Sequence, residues 1–455
     1  MVLPLWMATD VDEKLHERDE TAAVILAGKA RGSDRLRLLG RELHWVPREA
    51  YDRRTPDGLT VRSDGYMSVL ARAEERGDIP IWIHTHPRHG SSPARSKWDK
   101  IVDDELQQTF RVRSNAAEYA SLVFAPSEGG FSFTGAVWTD GGPVAFQRMV
   151  VVGERWKVLP AHDAPDHEQL PPSFDRQVRA FGGDVQRVLS QLRVGVVGSG
   201  GTGSATAEQL ARLGVGSLLL IDPKDLSPSN PTRVYGSSPD DIGMPKAEVL
   251  AAHLRRIAPA ARVEAITGTI TDLSIARRLS TCDLVIGCTD DNAGRLVLSR
   301  LPTYYLTPVI DTGVLISSSD GRLDGIDGRI TVINPGTACL VCRGRIDLAR
   351  AGAEQLPPEE RAARQAEGYA PELGGVEPAV IAYTSAVASF AVAEVLERLI
   401  GYGPDPEPGE MLLRFHDREV STNTATPREH HYCNPAEGLI GAGDRDPFLG
   451  QTWRA

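Results

Sequence analysis

Residues Arg193–Ala205, which read RVGVVGSGGTGSA, decide the fold of the second part of this chain. A short run of residues typical of a buried strand enters a glycine-rich turn, and an apolar helical pattern follows as far as Leu213. The next apolar run is Ser217–Ile221, and it ends at Asp222. A strand, a glycine turn, a helix and a second strand within roughly 30 residues form a βαβ unit. The stretch therefore predicts an α/β domain with a mainly parallel sheet.

A glycine turn between a strand and a helix is typical of phosphate binding, because backbone N–H groups and the helix N-terminus face the ligand. The spacing of Gly198, Gly200, Gly203 and Asp222 also fits the turn of dinucleotide-binding enzymes. An NAD-dependent dehydrogenase is therefore an alternative that the turn by itself leaves open.

The residues around the turn separate these alternatives. In chain order they are Arg176, Gly198, Gly200, Gly201, Gly203, Ser204, Asp222, Asn230, Arg233, Lys246, Asp290 and Arg295. Together they resemble the ThiF/MoeB/HesA and ubiquitin-activating enzyme superfamily over residues 173–440. The resemblance implies a Rossmann-like adenylation domain that uses ATP and Mg²⁺ to activate the C-terminal carboxylate of a ubiquitin-like or sulfur-carrier protein.

The same resemblance implies a role for each residue. The glycine turn with Ser204, Asp222 and Asn230 is expected to hold the nucleotide. Arg233 and Lys246 are expected to contact its phosphates, and Asp290 to be associated with magnesium. Arg176 is expected to reach the ATP of a partner subunit in a homodimer. Cationic side chains and Mg²⁺ suit this chemistry because negative charge develops on the phosphates as the carboxylate attacks.

A second candidate site lies near the N-terminus. The run Ile79–Ile83 predicts a strand, and His84 and His86 follow it at a spacing that places both imidazoles on one side of an extended chain. Asp99 follows, within the pattern Ser96-x-x-Asp99. Two histidines and one aspartate leave a fourth tetrahedral position for water, which predicts a catalytic zinc site.

This pattern resembles the JAMM (Mov34/MPN/PAD-1) metallopeptidases, in which an upstream glutamate precedes His-x-His and Ser-x-x-Asp. The resemblance implies an N-terminal α+β domain that cleaves isopeptide bonds, in which the glutamate activates the water and Ser96 helps to stabilise the oxyanion. Glu20 is the best match for the glutamate because it begins a strand-like run, and Glu42 and Glu49 are the alternatives.

The five cysteines predict a further, structural zinc site. Cys339 and Cys342 form a Cys-x-x-Cys pair, and the resemblance to the ThiF superfamily places the other two ligands near the C-terminus. The ligand set predicted there is His430 and Cys433, with His431 as a substitute for His430. A reduced pair without metal is the alternative.

Many relatives in this superfamily transfer the acyl group to a cysteine on a crossover segment, which here precedes Gly374–Val376. No cysteine lies between Cys342 and Cys433. Cys282 and Cys288 flank the predicted strand Leu284–Ile286 and are expected to be core residues. An intramolecular thioester is therefore not predicted, which leaves direct transfer to a partner or an oxyester.

Composition restricts the partners. The 455 residues carry 50 Lys+Arg against 61 Asp+Glu, and this acidic balance disfavours nucleic acid and anionic membranes. The N-terminus lacks the pattern of a secretory signal, and the apolar run Pro378–Ile400 contains enough polar residues to predict a buried helix. We expect a cytoplasmic protein with a JAMM domain at 1–155, a linker at 156–172 and an adenylation domain at 173–455.

Both predicted sites would act on a flexible tail that ends in small residues. We therefore expect adenylation and zinc-dependent cleavage of such tails in a bacterial ubiquitin-like conjugation pathway, with a conjugating-enzyme-like protein as a further partner. One alternative is activation of a sulfur carrier for thiocarboxylate and cofactor biosynthesis. A scaffold that binds a ubiquitin-like protein without chemistry is the other.

Overall fold

The computed structural model describes residues 1–32, 35–88, 92–164, 170–319, 322–366 and 378–453. The chain forms two units, Met1–His167 with Ile440–Asp444, and Glu168–Leu439 with Arg445–Ala455. Gly374–Val376, the predicted glycine-rich helix start, lies outside the described residues. Within the described part of the chain, no helix combines the length and apolar character that a membrane crossing requires.

The first unit contains a large mixed sheet with helices on both faces. Its strands are β1 (Val2–Pro4), β2 (Ala22–Arg31), β3 (Leu36–Trp45), β4 (Tyr51–Thr55), β5 (Gly58–Val61), β6 (Ile79–Thr85), β7 (Tyr119–Ser127), β8 (Gly130–Thr139), β9 (Gly142–Ala145), β10 (Arg148–Val152) and β11 (Trp156–Pro160). Its helices are α1 (Leu5–Lys14), α2 (Met67–Arg76) and α3 (Lys97–Ser114). The strand order in the large sheet is β11-β10-β1-β3-β2-β6-β7-β8-β9, and β4 and β5 form a separate hairpin.

Strand β2 explains how this sheet is buried. Its residues Ala23 and Ile25 pack in one apolar cluster with Met7 of α1, because successive side chains of a strand point to opposite faces. The alternate residues, such as Val24, pack in a second cluster that includes Phe110 of α3. Both faces are therefore covered around β6, which lies between β2 and β7, contains His84 near its C-terminal end and is directly followed by His86.

Two boundaries differ from the sequence-based prediction. Strand β11 lies inside residues 156–172, which were predicted as a linker, because it pairs antiparallel with β10 and buries Trp156. The segment Ile440–Asp444 belongs to the first unit although it lies within the predicted adenylation domain. An Asp444 carboxylate oxygen accepts a hydrogen bond of 2.8 Å from the Arg31 amide, which closes this segment onto β2.

The second unit confirms the predicted parallel sheet. Its strands are β12 (Arg193–Val197), β13 (Ser217–Asp222), β14 (Arg262–Thr267), β15 (Leu284–Gly287), β16 (Val309–Ser319), β17 (Arg322–Ile333), β18 (Glu410–Arg414) and β19 (Glu419–Asn423). Its helices are α4 (Asp175–Phe181), α5 (Gly183–Gln191), α6 (Gly201–Arg212), α7 (Lys246–Ile257), α8 (Leu273–Leu279), α9 (Asn292–Leu298), α10 (Leu301–Tyr305), α11 (Leu348–Glu354), α12 (Pro358–Ala366) and α13 (Ile381–Ile400).

The strand order of the second sheet is β14-β13-β12-β15-β16-β17-β18-β19. The first five strands of this order, β14-β13-β12-β15-β16, run parallel to one another. The remaining strands, β17, β18 and β19, continue the sheet from β16 by antiparallel pairing. The chain leaves β12 toward β13 on one side and later returns to β15 on the other. This reversal makes a crevice at the carboxyl ends of β12 and β15, where ligands of open α/β sheets bind.

Candidate functional sites

The first candidate site is a cavity of about 1400 Å³ at the crevice beside β12 and β15. The turn after β12 forms one wall. Gly198 has φ +93°, a conformation that favours glycine, and a Cβ on Gly203 would lie 1.7 Å from the Gly198 carbonyl oxygen. A Cβ on Gly200 would meet open space. The turn is therefore closely packed against the start of α6 and open toward the cavity at Gly200.

Most residues predicted to hold the nucleotide line this cavity. They are Gly198, Gly200, Gly201, Asp222, Asn230, Arg233, Lys246 and Asp290. Gly203 and Ser204 instead lie behind the turn, and the buried Ser204 hydroxyl accepts a hydrogen bond of 3.0 Å from the Tyr235 amide. These two residues support the turn, and the nucleotide contact expected of them stays a prediction. Arg176 is exposed on α4, outside the described lining of this cavity.

Asp222 fixes the shape of the crevice from the end of β13. Its buried carboxylate accepts hydrogen bonds from the Ser199 amide at 2.6 Å and from the Lys224 amide at 2.8 Å. Each carboxylate oxygen has more than one acceptor site, so Asp222 retains capacity for a ligand hydroxyl group. This geometry is compatible with the ribose contact that the sequence implies.

Cationic side chains lie opposite the turn. Lys246 is the first residue of α7, where burial lowers its pKa and the Asp222 carboxylate opposes that effect. The guanidinium of Arg233 donates a 2.8 Å hydrogen bond to the Ser229 carbonyl oxygen, which orients it along the cavity wall. Lys224 Nζ lies 3.6 Å from an oxygen of Asp290, whose carboxylate is largely exposed. Carboxylate oxygens and phosphates are the ligands that Mg²⁺ prefers, and Asp290 fits that requirement.

Sequence reasoning missed one of two arginines that line the cavity beside Asp311. Arg329 pairs with the fully buried Asp311, and Arg295 Nε lies 3.4 Å from the other oxygen of the same carboxylate. Two guanidinium groups on one carboxylate leave a positive charge that suits an anion. Arg295 was noted because it follows Asp290, whereas no local motif marks Arg329. It enters the site because antiparallel pairing places it opposite Gly313.

The crossover segment also contributes to this cavity. Helices α11 and α12 lie in this segment, and Arg350 and Arg361 line the cavity from them. A Glu354 oxygen accepts a 2.8 Å hydrogen bond from the Ala293 amide at the start of α9, which attaches α11 beside the Asp290 loop. Burial raises the pKa of Cys288 to about 11, and Cys282 is fully buried. Neither thiol has the properties of a catalytic nucleophile.

The second candidate site unites His84, His86 and Asp99 in the first unit. One ligand atom from each lies within 4.8 Å of the others. His84 Nε2 is 3.4 Å from Asp99 Oδ1, and among the described residues this buried nitrogen has no hydrogen-bond partner. A buried polar atom without a partner is costly, and a metal ion at this position would remove that cost.

Neighbouring groups orient the other ligands. The Ser92 carbonyl oxygen accepts a 3.0 Å hydrogen bond from His86 Nδ1, which leaves Nε2 directed to the cluster. Ser96 and Asp99 form a capping box at the start of α3, in which the Ser96 amide donates to Asp99 Oδ2 at 2.6 Å. Asp99 Oδ1 consequently faces His84. The Ser96 hydroxyl accepts from the Asp99 amide at 3.1 Å and retains its own proton for donation.

Of the three glutamates considered as the base, Glu20 lies beside these histidines. Its Oε1 lies 4.0 Å from His86 Nε2, its side chain is largely buried, and burial raises its pKa to about 7. Hydrogen bonds from Arg72 instead lower the pKa of Glu42 to about 2, which makes it a poor base. Glu49 is exposed in the turn Arg48–Ala50. The geometry therefore favours Glu20 over both alternatives.

The third candidate site is formed by Cys339, Cys342, His431 and Cys433, whose ligand atoms lie within 4.8 Å of one another. His431 Nδ1 is 3.4 Å from Cys342 Sγ and 3.2 Å from Cys433 Sγ. The contact between the Cys339 and Cys433 thiols lowers the pKa of Cys339 and raises the pKa of Cys433, which shows how closely the two sulfur atoms are placed. Three cysteines and one histidine fit a tetrahedral structural zinc.

His430, the histidine chosen from the sequence, lies outside this cluster. Its side chain is almost fully exposed, and its Nδ1 lies 3.6 Å from Glu437. The backbone of His430 has φ +52°, and this turn presents the next residue, His431, to the cysteines. The substitute named from the sequence is therefore the residue that the fold brings to the cluster.

Comparison with known proteins identifies a family that matches most of the second unit. Residues 174–435, more than half of the chain, match the family described as the ThiF family. The molybdopterin-synthase adenylyltransferase of Escherichia coli (strain K12) is 29% identical over 253 residues, which cover 54% of this chain and 88% of that protein. The SAMP-activating enzyme E1 of Haloferax volcanii is 30% identical over 156 residues, covering 34% of this chain and about half, 54%, of that enzyme.

Among solved structures, E. coli MccB with MccA-N7isoASN matches with a TM-score of 0.46 and 17% sequence identity. The match covers 58% of this chain and 75% of that chain. A likeness of this degree carries no argument about function.

Proposed function

Because this chain belongs to the ThiF family, we propose that its second unit adenylates the C-terminal carboxylate of a ubiquitin-like or sulfur-carrier protein with ATP. The names of two relatives, a molybdopterin-synthase adenylyltransferase and a SAMP-activating enzyme, support this class of substrate. The observation that carries the proposal is the crevice in which a glycine turn faces Arg233, Lys246 and Asp290.

The residues of the crevice fit the charge that develops in this reaction. The substrate carboxylate attacks the α-phosphorus of ATP, an acyl–phosphate bond forms, and the bond to pyrophosphate breaks. Lys246 and Arg233 neutralise charge on the phosphates, and Asp290 would hold Mg²⁺, which would supply a further cation. The arginine pair Arg295 and Arg329 suits the incoming carboxylate. The exposed Arg176 would act on the nucleotide of a second subunit in a homodimer.

For the first unit we propose a zinc-dependent peptidase of the JAMM type that acts on the same kind of tail. Zinc at His84, His86 and Asp99 would supply a Lewis acid that lowers the pKa of a bound water to about 7. Glu20 then accepts the proton of the attacking water, and Ser96 donates a hydrogen bond to the carbonyl oxygen as it gains charge. The buried His84 nitrogen without a partner among the described residues is the main support.

Both activities would serve a bacterial ubiquitin-like conjugation pathway in the cytoplasm. The first unit would expose or release a tail, the second would activate it, and a conjugating-enzyme-like protein would accept the product. The cysteine and histidine cluster around Cys339 would hold a structural zinc that stabilises the second unit.

Exchange of labelled pyrophosphate into ATP tests the adenylation proposal. Purified protein with Mg²⁺ and ATP is expected to catalyse exchange only when the cognate ubiquitin-like protein is present. Lys246→Ala should remove the exchange, whereas Lys157→Ala, on the exposed surface of the first unit, should retain it. Exchange without the partner, or with free amino acids in its place, would contradict the proposal.

Activation of a sulfur carrier is the second candidate. It is favoured by the absence of any cysteine between Cys342 and Cys433 and by the burial of Cys282, because a thiocarboxylate pathway requires no acyl thioester on this chain. Formation of a thiocarboxylate at the partner's C-terminus only when sulfide is added, detected by mass spectrometry, would identify this route. A scaffold without chemistry would bind the partner but release no pyrophosphate.

A further inference from the structure

A buried carboxylate lies one helical turn beyond the Asp99 ligand of the first unit. Asp103 of α3 is almost fully buried and accepts hydrogen bonds from the Tyr119 hydroxyl at 3.0 Å and the Ser121 hydroxyl at 2.9 Å. The guanidinium of Arg95 donates to the same carboxylate. Asp103 is therefore fully engaged by groups from two directions, which makes it a fixed point between α3 and β7.

Arg95 is held as firmly as its partner. Its guanidinium carbon lies 4.9 Å from the centre of the Trp138 ring on β8, a cation–π geometry. The side chain is mostly buried, with 17% of its surface exposed. Arg95 immediately precedes Ser96, the residue that caps α3. The ion pair thus fixes the chain at the point where the capping box begins.

The register of the strands connects this ion pair to the metal ligands. Strand β7 pairs in parallel with β6, so that Ser121 lies opposite Trp82 and Val123 lies opposite His84. Two residues of strand span roughly 6.6 Å, and one helical turn from Asp99 to Asp103 spans roughly 6 Å. Because these two lengths are similar, Asp103 can contact Ser121 while Asp99 Oδ1 lies 3.4 Å from His84 Nε2.

We propose that Arg95 and Asp103 are positioning residues that hold the start of α3 so that Asp99 can complete the zinc site with His84 and His86. This inference rests on the proposed peptidase function of the first unit. The capping box orients the Asp99 carboxylate within the helix, whereas the ion pair places the helix against the sheet. Neither Arg95 nor Asp103 is expected to touch zinc.

Zinc affinity tests this role without any peptide substrate. The full chain is titrated with Zn²⁺ against a chelator, and the cysteine cluster of the second unit serves as an internal reference in each preparation. Arg95→Ala is expected to weaken zinc at the histidine site by about 10- to 100-fold, the usual effect of removing an outer-shell partner. The affinity of the cysteine cluster should not change.

Three further variants separate positioning from general destabilisation. Ser121→Ala removes one donor to Asp103 and should weaken zinc in the same direction by a smaller factor. Arg111 also lies on α3, and Arg111→Ala, which removes its surface ion pair with Asp140, should have no effect. Asp99→Asn removes the ligand itself, and Arg95→Ala should add no further loss in that background, because the ion pair acts through Asp99.

The visible spectrum of the Co²⁺-substituted protein gives an independent readout. Arg95→Ala should alter the bands of the histidine site as Asp99→Asn does and leave the thiolate bands unchanged. Unchanged zinc affinity in Arg95→Ala, or an equal loss in the presence and absence of Asp99, would overturn the positioning role. If the wild-type chain bound zinc only at the cysteine cluster, both the positioning role and the peptidase proposal would be overturned. If only the variants lost zinc at the histidine site, the peptidase proposal would stand.

Discussion

At the residue scale, we expect substitution of two adjacent histidines, His430 and His431, to have different effects on zinc binding at the cysteine cluster. His431 contacts the thiols, so His431→Ala should lose about one zinc ion per chain and lower the melting temperature of the second unit. His430→Ala is the matched control, and its zinc content should equal that of the wild type because the side chain is exposed. Metal analysis after dialysis and thermal unfolding measure both effects. Loss of zinc in His430→Ala alone would restore the ligand chosen from the sequence.

Glu20 carries a second prediction at this scale. Glu20→Gln removes the proton acceptor while it retains the size of the side chain, so cleavage of a tail fusion should fall by about 10²- to 10⁴-fold. Zinc content should stay unchanged because Glu20 is not predicted as a ligand. Glu49→Gln, on the exposed turn, should cleave at the wild-type rate. Equal activity in Glu20→Gln and wild type would show that another group is the base.

The sequence was sufficient to predict those candidate site residues that form a motif with short spacing along the chain. His84, His86 and Asp99 could be identified because a strand followed by a helix start brings them together with few alternatives. The choice between His430 and His431 depended on a backbone φ of +52° at His430, which no spacing encodes. The Ser96 pattern has two meanings, a helix cap and a peptidase motif, and the geometry of α3 is compatible with both.

At the scale of elements, the turn between β12 and α6 allows its structural and ligand-binding parts to be separated. Gly203→Ala would place a methyl group 1.7 Å from the Gly198 carbonyl oxygen, and such overpacking should cost about 1–3 kcal/mol of unfolding free energy. Gly200→Ala meets open space, so its stability should match the wild type while its ATP affinity falls. Thermal unfolding and calorimetric titration with Mg²⁺ and ATP distinguish the two. The reverse pattern would place the phosphates elsewhere.

Local patterns were sufficient for the elements that define the crevice. Strands β12 and β13 and the helix between them follow from apolar runs separated by glycines, and the last residues of the glycine turn form the first turn of α6. Arg329 could not be predicted, because it reaches the cavity through the antiparallel pairing of β16 with β17. Strand β11 was missed because its short run pairs with β10 in a proline-rich region.

At the scale of the whole molecule, the two proposed active sites lie in different units of the chain. Asp99→Ala should abolish tail cleavage and leave pyrophosphate exchange at the wild-type level, since Asp99 belongs to the cluster of the first unit and does not line the cavity of the second. Lys246→Ala should have the opposite effect. Parallel assays on the same preparations measure both activities. Equal loss of both activities in either variant would argue against independent sites.

The central claim is that the second unit joins AMP to a protein's terminal carboxylate, and mass spectrometry of the cognate ubiquitin-like protein tests it most directly. The ubiquitin-like protein is incubated with this chain, Mg²⁺ and ATP in two forms, one with a free C-terminal carboxylate and one with that carboxylate amidated. We predict a mass increase equal to one AMP only with the free carboxylate, and none with Lys246→Ala. An AMP adduct on the amidated protein, or no adduct while pyrophosphate is released, would contradict the account.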